Sequence, residues 1–273
     1  MPEPIDPTER AHLRDDEGYS PPIFRFAPSP GLGDVVRRYW LPVWDLPAGR
    51  TTVQRVLQYP VVMIVVTADY ARCIGPSTGL STQELRGRGW AVGAMGQPAT
   101  GALVLGGPVS AITDRFVDLD AVPGLDGPGL TAGIRTAMAD APDTESSQRA
   151  VVDHLEHALG ALLPVDEEGL LVNAVVERVE ADSSVQRVSQ LVEAFGMSER
   201  TLQRLCARRI GLSPKWLVQR RRLHEAAERL SGDDSPDLAR VAVELGYADQ
   251  AHFTRDFRTV TGLTPGGFAG EPR

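Results

Sequence analysis

The pattern of apolar and polar positions changes period partway along the chain. Between residues 23 and about 120, apolar residues come in short runs: Thr51–Tyr59, Val61–Thr67, Trp90–Met95, Ala102–Leu105 and Ile112–Leu119. Pro60, Gly75-Pro76, Gly96, Pro98 and Gly107-Pro108 punctuate them. Runs of this length between turn residues predict short strands and a small β-barrel or sandwich. From Pro128 onward the period becomes helical, with Val151, Val152, Leu155, Leu159, Leu162 and Leu163 on one stripe. Pro164 to Gly169 reads as a linker, and everything after about residue 170 is helical. Residues 1–22, rich in Pro, Asp and Glu, read as a loose leader. The expected fold class is therefore α+β, with a β-rich region over 23–165 flanked by helices and an all-α region over 170–270.

Within the helical region the same pattern occurs twice, with fifty residues between equivalent positions. Val188, Leu191, Val192 and Phe195 stand at i, i+3, i+4 and i+7, and Leu238, Val241, Ala242 and Leu245 repeat those offsets. Gly196 and Gly246 follow directly, suited to the left-handed conformation that ends a helix and turns the chain. Ser198 and Asp249 then supply N-caps for a second helix. Leu202, Leu205 and Cys206 form the core face of that helix in the first unit, and Phe253, Phe257 and Val260 in the second. Gly211-Leu-Ser-Pro214 and Gly262-Leu-Thr-Pro265 close the units alike. Helix, glycine turn and capped helix make a helix-turn-helix, here expected at about 185–211 and 236–262. Lys215 to Leu230 reads as a connecting helix buried through Trp216, Leu223, Ala227 and Leu230, and ended by Ser231-Gly232.

Outward faces follow from ~100° per residue. Arg200, Gln203 and Arg204 lie opposite the first core face, and Gln250, Ala251, Thr254 and Arg255 opposite the second. Arginine reads guanine and glutamine reads adenine with paired hydrogen bonds in the major groove. Charge bears on this, because the net charge of −8 argues against nucleic acid. The acid excess, however, sits before residue 173. Arg200, Arg204, Arg208, Arg209, Lys215, Arg220, Arg221 and Arg222 follow one another with no acid between them. Ser198, Arg208, Arg209, Lys215, Arg220, Arg221, Arg222 and Arg258 are the expected phosphate contacts, which position a protein without specifying sequence.

These residues resemble the AraC/XylS family of bacterial transcription regulators. Met197-Ser-Glu-Arg-Thr-Leu-Gln-Arg-Leu205 with Gly211-Leu-Ser-Pro214 is similar to the first unit of its DNA-binding domain. Gly246-Tyr-Ala-Asp-Gln-Ala-His-Phe-Thr-Arg-Asp-Phe257 with Gly262-Leu-Thr-Pro265 is similar to the second. The resemblance places base reading on Arg200, Gln203, Arg204, Gln250, Ala251, Thr254 and Arg255. Two positions depart from the family: Cys206 stands in place of its usual phenylalanine, and Ala251 is too short for a polar base contact. Arg37-Arg-Tyr-Trp40, Trp44-Asp-Leu-Pro47 and Pro108-Val-Ser-Ala-Ile-Thr-Asp-Arg115 are similar to the sensor-like domain of actinobacterial members. The resemblance implies double-stranded DNA as partner and a small-molecule effector at the N-terminal region. It leaves room for RNA polymerase and a second copy of the chain as further partners.

Other chemistry finds less support. A cupin-like barrel enzyme holds its metal on histidines, yet no histidine lies between His12 and His154. His154 and His157 share a helix face at a spacing that reads as solvated, so no metal and no cofactor are expected. Cys73 and Cys206 suggest no disulfide framework, and Cys73 reads as a buried structural thiol. Trp40, Trp44 and Trp90 are the candidates for lining an apolar effector pocket. No apolar run reaches membrane-spanning length, and the N-terminus has neither the basic start nor the apolar core of a signal peptide. A cytoplasmic, non-enzymatic regulator is the expectation. The competing class is a small-molecule-binding protein or cupin-like enzyme whose helical end serves only for packing.

Overall fold

The computed structural model describes residues 12–13, 19–57, 59–231 and 237–269. Most of the expected leader, the glycine expected to end the connecting helix, Gly232, and the first residue of the expected second unit, Pro236, lie outside them. The β-rich half holds β1 (His12–Leu13), β2 (Ile23–Phe26), β3 (Val36–Asp45), β4 (Thr51–Leu57) and β5 (Met63–Thr67). It continues with β6 (Ala71–Ile74), β7 (Leu80–Arg86), β8 (Arg88–Gly96) and β9 (Phe116–Asp118). Two antiparallel sheets result, one ordered β2-β3-β8-β5-β6-β9 and the other β1-β4-β7.

Among the described residues no closed barrel forms, and β2 and β9 remain as separate edges of the larger sheet. Alternation in a strand says which face is buried but not which edges meet, so closure could not be read from the pattern. Helices α2 (Gly127–Met138) and α3 (Glu145–Gly160) cover the large sheet instead. Tyr39, Leu41, Ile64, Val66 and Val92 from the sheet pack against Leu130, Ile134 and Met138 of α2 and Val151, Leu155 and Leu159 of α3. Full burial of such side chains contributes about 1.5–3 kcal/mol each.

Two sequence expectations need correcting. Ala102–Leu105, expected as a strand, belongs to α1 (Thr100–Leu105), which ends on Gly106 at φ +62°. A four-residue apolar run does not distinguish strand from helix. The expected linker at 164–169 begins α4 (Glu167–Ala181). Asp166 caps it, accepting from the Gly169 N–H at 2.8 Å.

The helical half comprises α4, α5 (Val188–Ala194), α6 (Glu199–Arg209), α7 (Pro214–Ser231), α8 (Leu238–Glu244), α9 (Gln250–Thr261) and α10 (Pro265–Ala269). Its first core joins Val172, Val175 and Val179 of α4 to Leu191, Leu202, Leu205, Cys206 and Leu217. A second core is shared between the halves: Tyr59, Val61 and Met95 pack with Leu223, Ala226 and Leu230 of α7 and Phe253 and Phe257 of α9. The halves also meet where Thr113 Oγ1 donates to the Gly211 carbonyl at 2.8 Å and Asn173 Nδ2 to the Asp34 carbonyl at 2.9 Å.

Candidate nucleic-acid interface

Each helix-turn-helix unit is built by local chemistry that the sequence specifies. In the first, α5 stops at Gly196, at φ +60°, and Ser198 restarts the chain by accepting from the Thr201 N–H at 3.2 Å. In the second, α8 stops at Gly246, at φ +74°, and Asp249 accepts from the His252 N–H at 2.6 Å. The third helices begin alike, with Ser213 Oγ accepting from the Trp216 N–H at 3.1 Å and Thr264 Oγ1 from the Gly267 N–H at 3.1 Å. Each side-chain cap stabilises its helix by about 0.5–2 kcal/mol. The apolar faces of α6 and α9 are buried at Leu202, Leu205, Cys206, Phe253, Phe257 and Val260.

The opposite faces carry the candidate readers. Arg200, Gln203 and Arg204 are exposed on α6, and Gln250, Ala251 and Arg255 on α9, with Thr254 half-buried beside them. Glu199, an acid that sequence reasoning left out of the site, accepts from Gln203 Nε2 at 3.0 Å. Its i, i+4 spacing from Gln203 was the available signal. Lys215, Arg258 and Ser198 are also exposed, and Arg208 is 49% exposed while paired with Glu168 of α4.

Four of the cations expected at phosphates are engaged within the fold. Arg209 is buried, donating from Nε to Glu168 at 2.9 Å and paired with Asp166. Arg220 is 4% exposed, and burial pushes its pKa down to about 9. Arg221 pairs with Glu225 at 2.8 Å and donates to the Val185 carbonyl at 3.3 Å. The Arg222 guanidinium stands 3.9 Å over the Tyr247 ring. The signal lay in the helix period. Arg209 continues the Leu202, Leu205 and Cys206 face, and Arg220 fills the gap between Trp216 and Leu223 on the α7 stripe. Residue type suggested an exposed basic surface, whereas position on the helix put two of these side chains inside.

The three tryptophans do not line one pocket. Trp40 and Trp44 lie on one face of β3, directly over Gly93 and Gly89 of β8. A Cβ on either glycine would come within 2.1 and 2.4 Å of the rings. Trp90 is paired with Val43, so it points to the other face, where it packs on the core of the β-rich half. A cavity of about 290 Å³ lies instead between the halves, lined by Arg37, Tyr59, Val176, Glu180, Arg220 and His224 among others. Burial pushes the thiols of Cys73 and Cys206 up to about 12, which leaves them un-ionised at neutral pH. His154 and His157 are exposed on α3.

Comparison with known proteins bears on the helical half first. Residues 191–270 match a helix-turn-helix domain family of the AraC type. Over these residues the helical half is similar to the DNA-binding domain of AraC-type regulators. Residues 24–118 match a family described as a domain of unknown function. The transcriptional activator NphR of Rhodococcus sp is 32% identical over 152 residues, covering 50% of this chain and 44% of that protein. The match thus spans less than half of the length of that protein. The regulator ExsA of Pseudomonas aeruginosa is 32% identical over 80 residues, 29% of this chain and 28% of its own. The crystal structure of ToxT from Vibrio cholerae aligns over 95% of this chain and 97% of its own at 8% identity, with a TM-score of 0.39. That likeness is too loose to carry an argument. No helix among the described residues is long and apolar enough to cross a membrane.

Proposed function

We propose that this chain is a sequence-specific DNA-binding transcription regulator under small-molecule control. The observation that carries the reading is the pair of capped helices α6 and α9, each set in its own helix-glycine-helix unit, with arginines exposed on the face away from the core. Arg200, Gln203 and Arg204 read bases from α6, and Gln250, Thr254 and Arg255 from α9, with Ala251 offering only apolar contact. Lys215, Arg208 and Arg258 meet phosphates. Because α7 joins the units, it sets the spacing of the two readers; about 34 Å along the duplex separates successive major grooves on one face.

The proposed division is a sensor-like region over 23–165 and a DNA-binding region over 170–270. The protein acts in the cytoplasm and is not an enzyme; RNA polymerase and a second copy of the chain are its further proposed partners. The test is fluorescence anisotropy on duplexes recovered by footprinting genomic DNA, titrated with salt. The reading expects a log–log slope of several units. It also expects a loss of about 5–150-fold in Arg204→Ala and in Arg255→Ala on the recovered site, with little loss on random duplex. Salt-insensitive binding, or equal losses on both duplexes, overturns it.

A further inference from the structure

The cavity between the halves is used by none of the residues assigned to DNA. Its walls come from three places: β3 and the Tyr59-Pro60 segment of the β-rich half, α4, and α7. Arg37 spans the junction. It donates to the two Glu180 carboxylate oxygens at 3.1 and 2.8 Å, and its guanidinium stands 4.7 Å over the Tyr59 ring. His224 approaches the same ring from α7, with centroids 5.1 Å apart. Burial, with Arg220 and Arg37 adding to it, holds the His224 pKa well below its usual value, so the ring is neutral.

Two polar atoms here are buried without a hydrogen-bond partner, His224 Nε2 and Arg221 Nε. Orphaned buried groups of this kind carry a desolvation cost that a ligand acceptor would remove. Three carboxylates line the cavity and each already has a partner: Glu180 is engaged by Arg37 and Glu225 by Arg221 and Arg229, and Glu228 is also engaged. Val176, Val179 and Leu217 supply an apolar wall. Cationic and N–H groups lining the same cavity as aliphatic side chains suit an acceptor head on a short apolar body. Charge-assisted hydrogen bonds to such a head are the strong ones.

We propose that this cavity binds a small organic anion, its carboxylate seated against Arg220, Arg221 and His224 and its apolar body on Val176, Val179 and Leu217. The cavity it fills is also walled by Arg37 and Tyr59 of the β-rich half, and α7 is the helix that joins the two DNA-reading units. The ligand's presence therefore changes how firmly α7 is held against the β-rich half. That consequence rests on the regulator reading; the binding itself does not.

The test uses the full chain with benzoate, hexanoate, benzyl alcohol and inorganic phosphate, followed by thermal shift and calorimetry. Benzoate or hexanoate should raise Tm in a saturable, concentration-dependent way. His224→Phe keeps the ring over Tyr59 and removes Nε2, and should weaken that binding about tenfold or more. Benzyl alcohol binding as tightly as benzoate overturns the carboxylate, and phosphate binding as tightly overturns the apolar body. No saturable shift with either acid overturns the site. Should His224→Phe fail to fold, Ala181→Trp at the exposed rim takes its place; unchanged affinity there puts the ligand elsewhere and overturns the proposal. Anisotropy on duplex DNA with and without benzoate separates the two claims. A chain that binds benzoate but no DNA leaves the site standing and removes the regulator reading, and the reverse outcome does the opposite.

Discussion

Gly211 and Gly262 close the two helix-turn-helix units in the same way, at φ +78° and +75°. Alanine at either position costs about 1–2 kcal/mol, because a Cβ crowds the following carbonyl in the left-handed region. Their surroundings differ. At Gly262 the added atom meets nothing within 4 Å, whereas at Gly211 it falls 2.6 Å from Thr113 Oγ1 and 3.1 Å from the Val109 backbone. Thr113 Oγ1 is also the donor to the Gly211 carbonyl, so moving it aside costs that bond, about 0.5–1.5 kcal/mol. Gly262→Ala should therefore destabilise by about 1–2 kcal/mol and Gly211→Ala by about 1.5–3.5 kcal/mol. Urea unfolding followed by circular dichroism measures both. The Thr113→Ala/Gly211→Ala double variant should cost at least about 0.5 kcal/mol less than the sum of the singles, since one bond is lost only once. Equal destabilisation of the two alanine variants, together with strict additivity, would refute the contact between Thr113 and the first unit.

His224 predicts an acid weakness. Below pH ~6.5 the unfolded chain protonates this residue while the folded chain, with its lowered pKa, does not, so stability falls with pH by up to about 1.4 kcal/mol per unit. His224→Phe should flatten that slope in urea midpoints measured between pH 7 and 5.5, and an unchanged slope would contradict the burial. Glu168 holds Arg208 and Arg209, so Glu168→Gln should release Arg208 toward DNA, tighten binding severalfold at low salt and steepen the salt slope by about 0.9. A flatter slope would show that Arg208 meets no phosphate. Cys73 and Cys206 should resist a thiol reagent at pH 8 in the native protein and react at once in denaturant, given thiols raised to about 12; fast native labelling would contradict their burial.

What the residues determined on their own was local. Ser198, Asp249, Ser213 and Thr264 cap the nearest following N–H groups, and Gly196 and Gly246 reach φ values that other residues avoid, so the helix-turn-helix units could be read within a few residues of each feature. The buried faces of α6 and α9 followed from period alone. The tertiary structure decided what depends on distant neighbours. Among the described residues the larger sheet stays open, with β2 and β9 as its edges. Arg209 meets Asp166 and Glu168, some forty positions before it in the chain, so its charge is spent inside the fold. Arg220 is buried because Tyr59 and α4 come to lie against α7, which period hinted at and residue type concealed. The cavity between the halves exists only through that packing, since Arg37, Glu180 and His224 are brought together by contacts that no stretch of sequence contains.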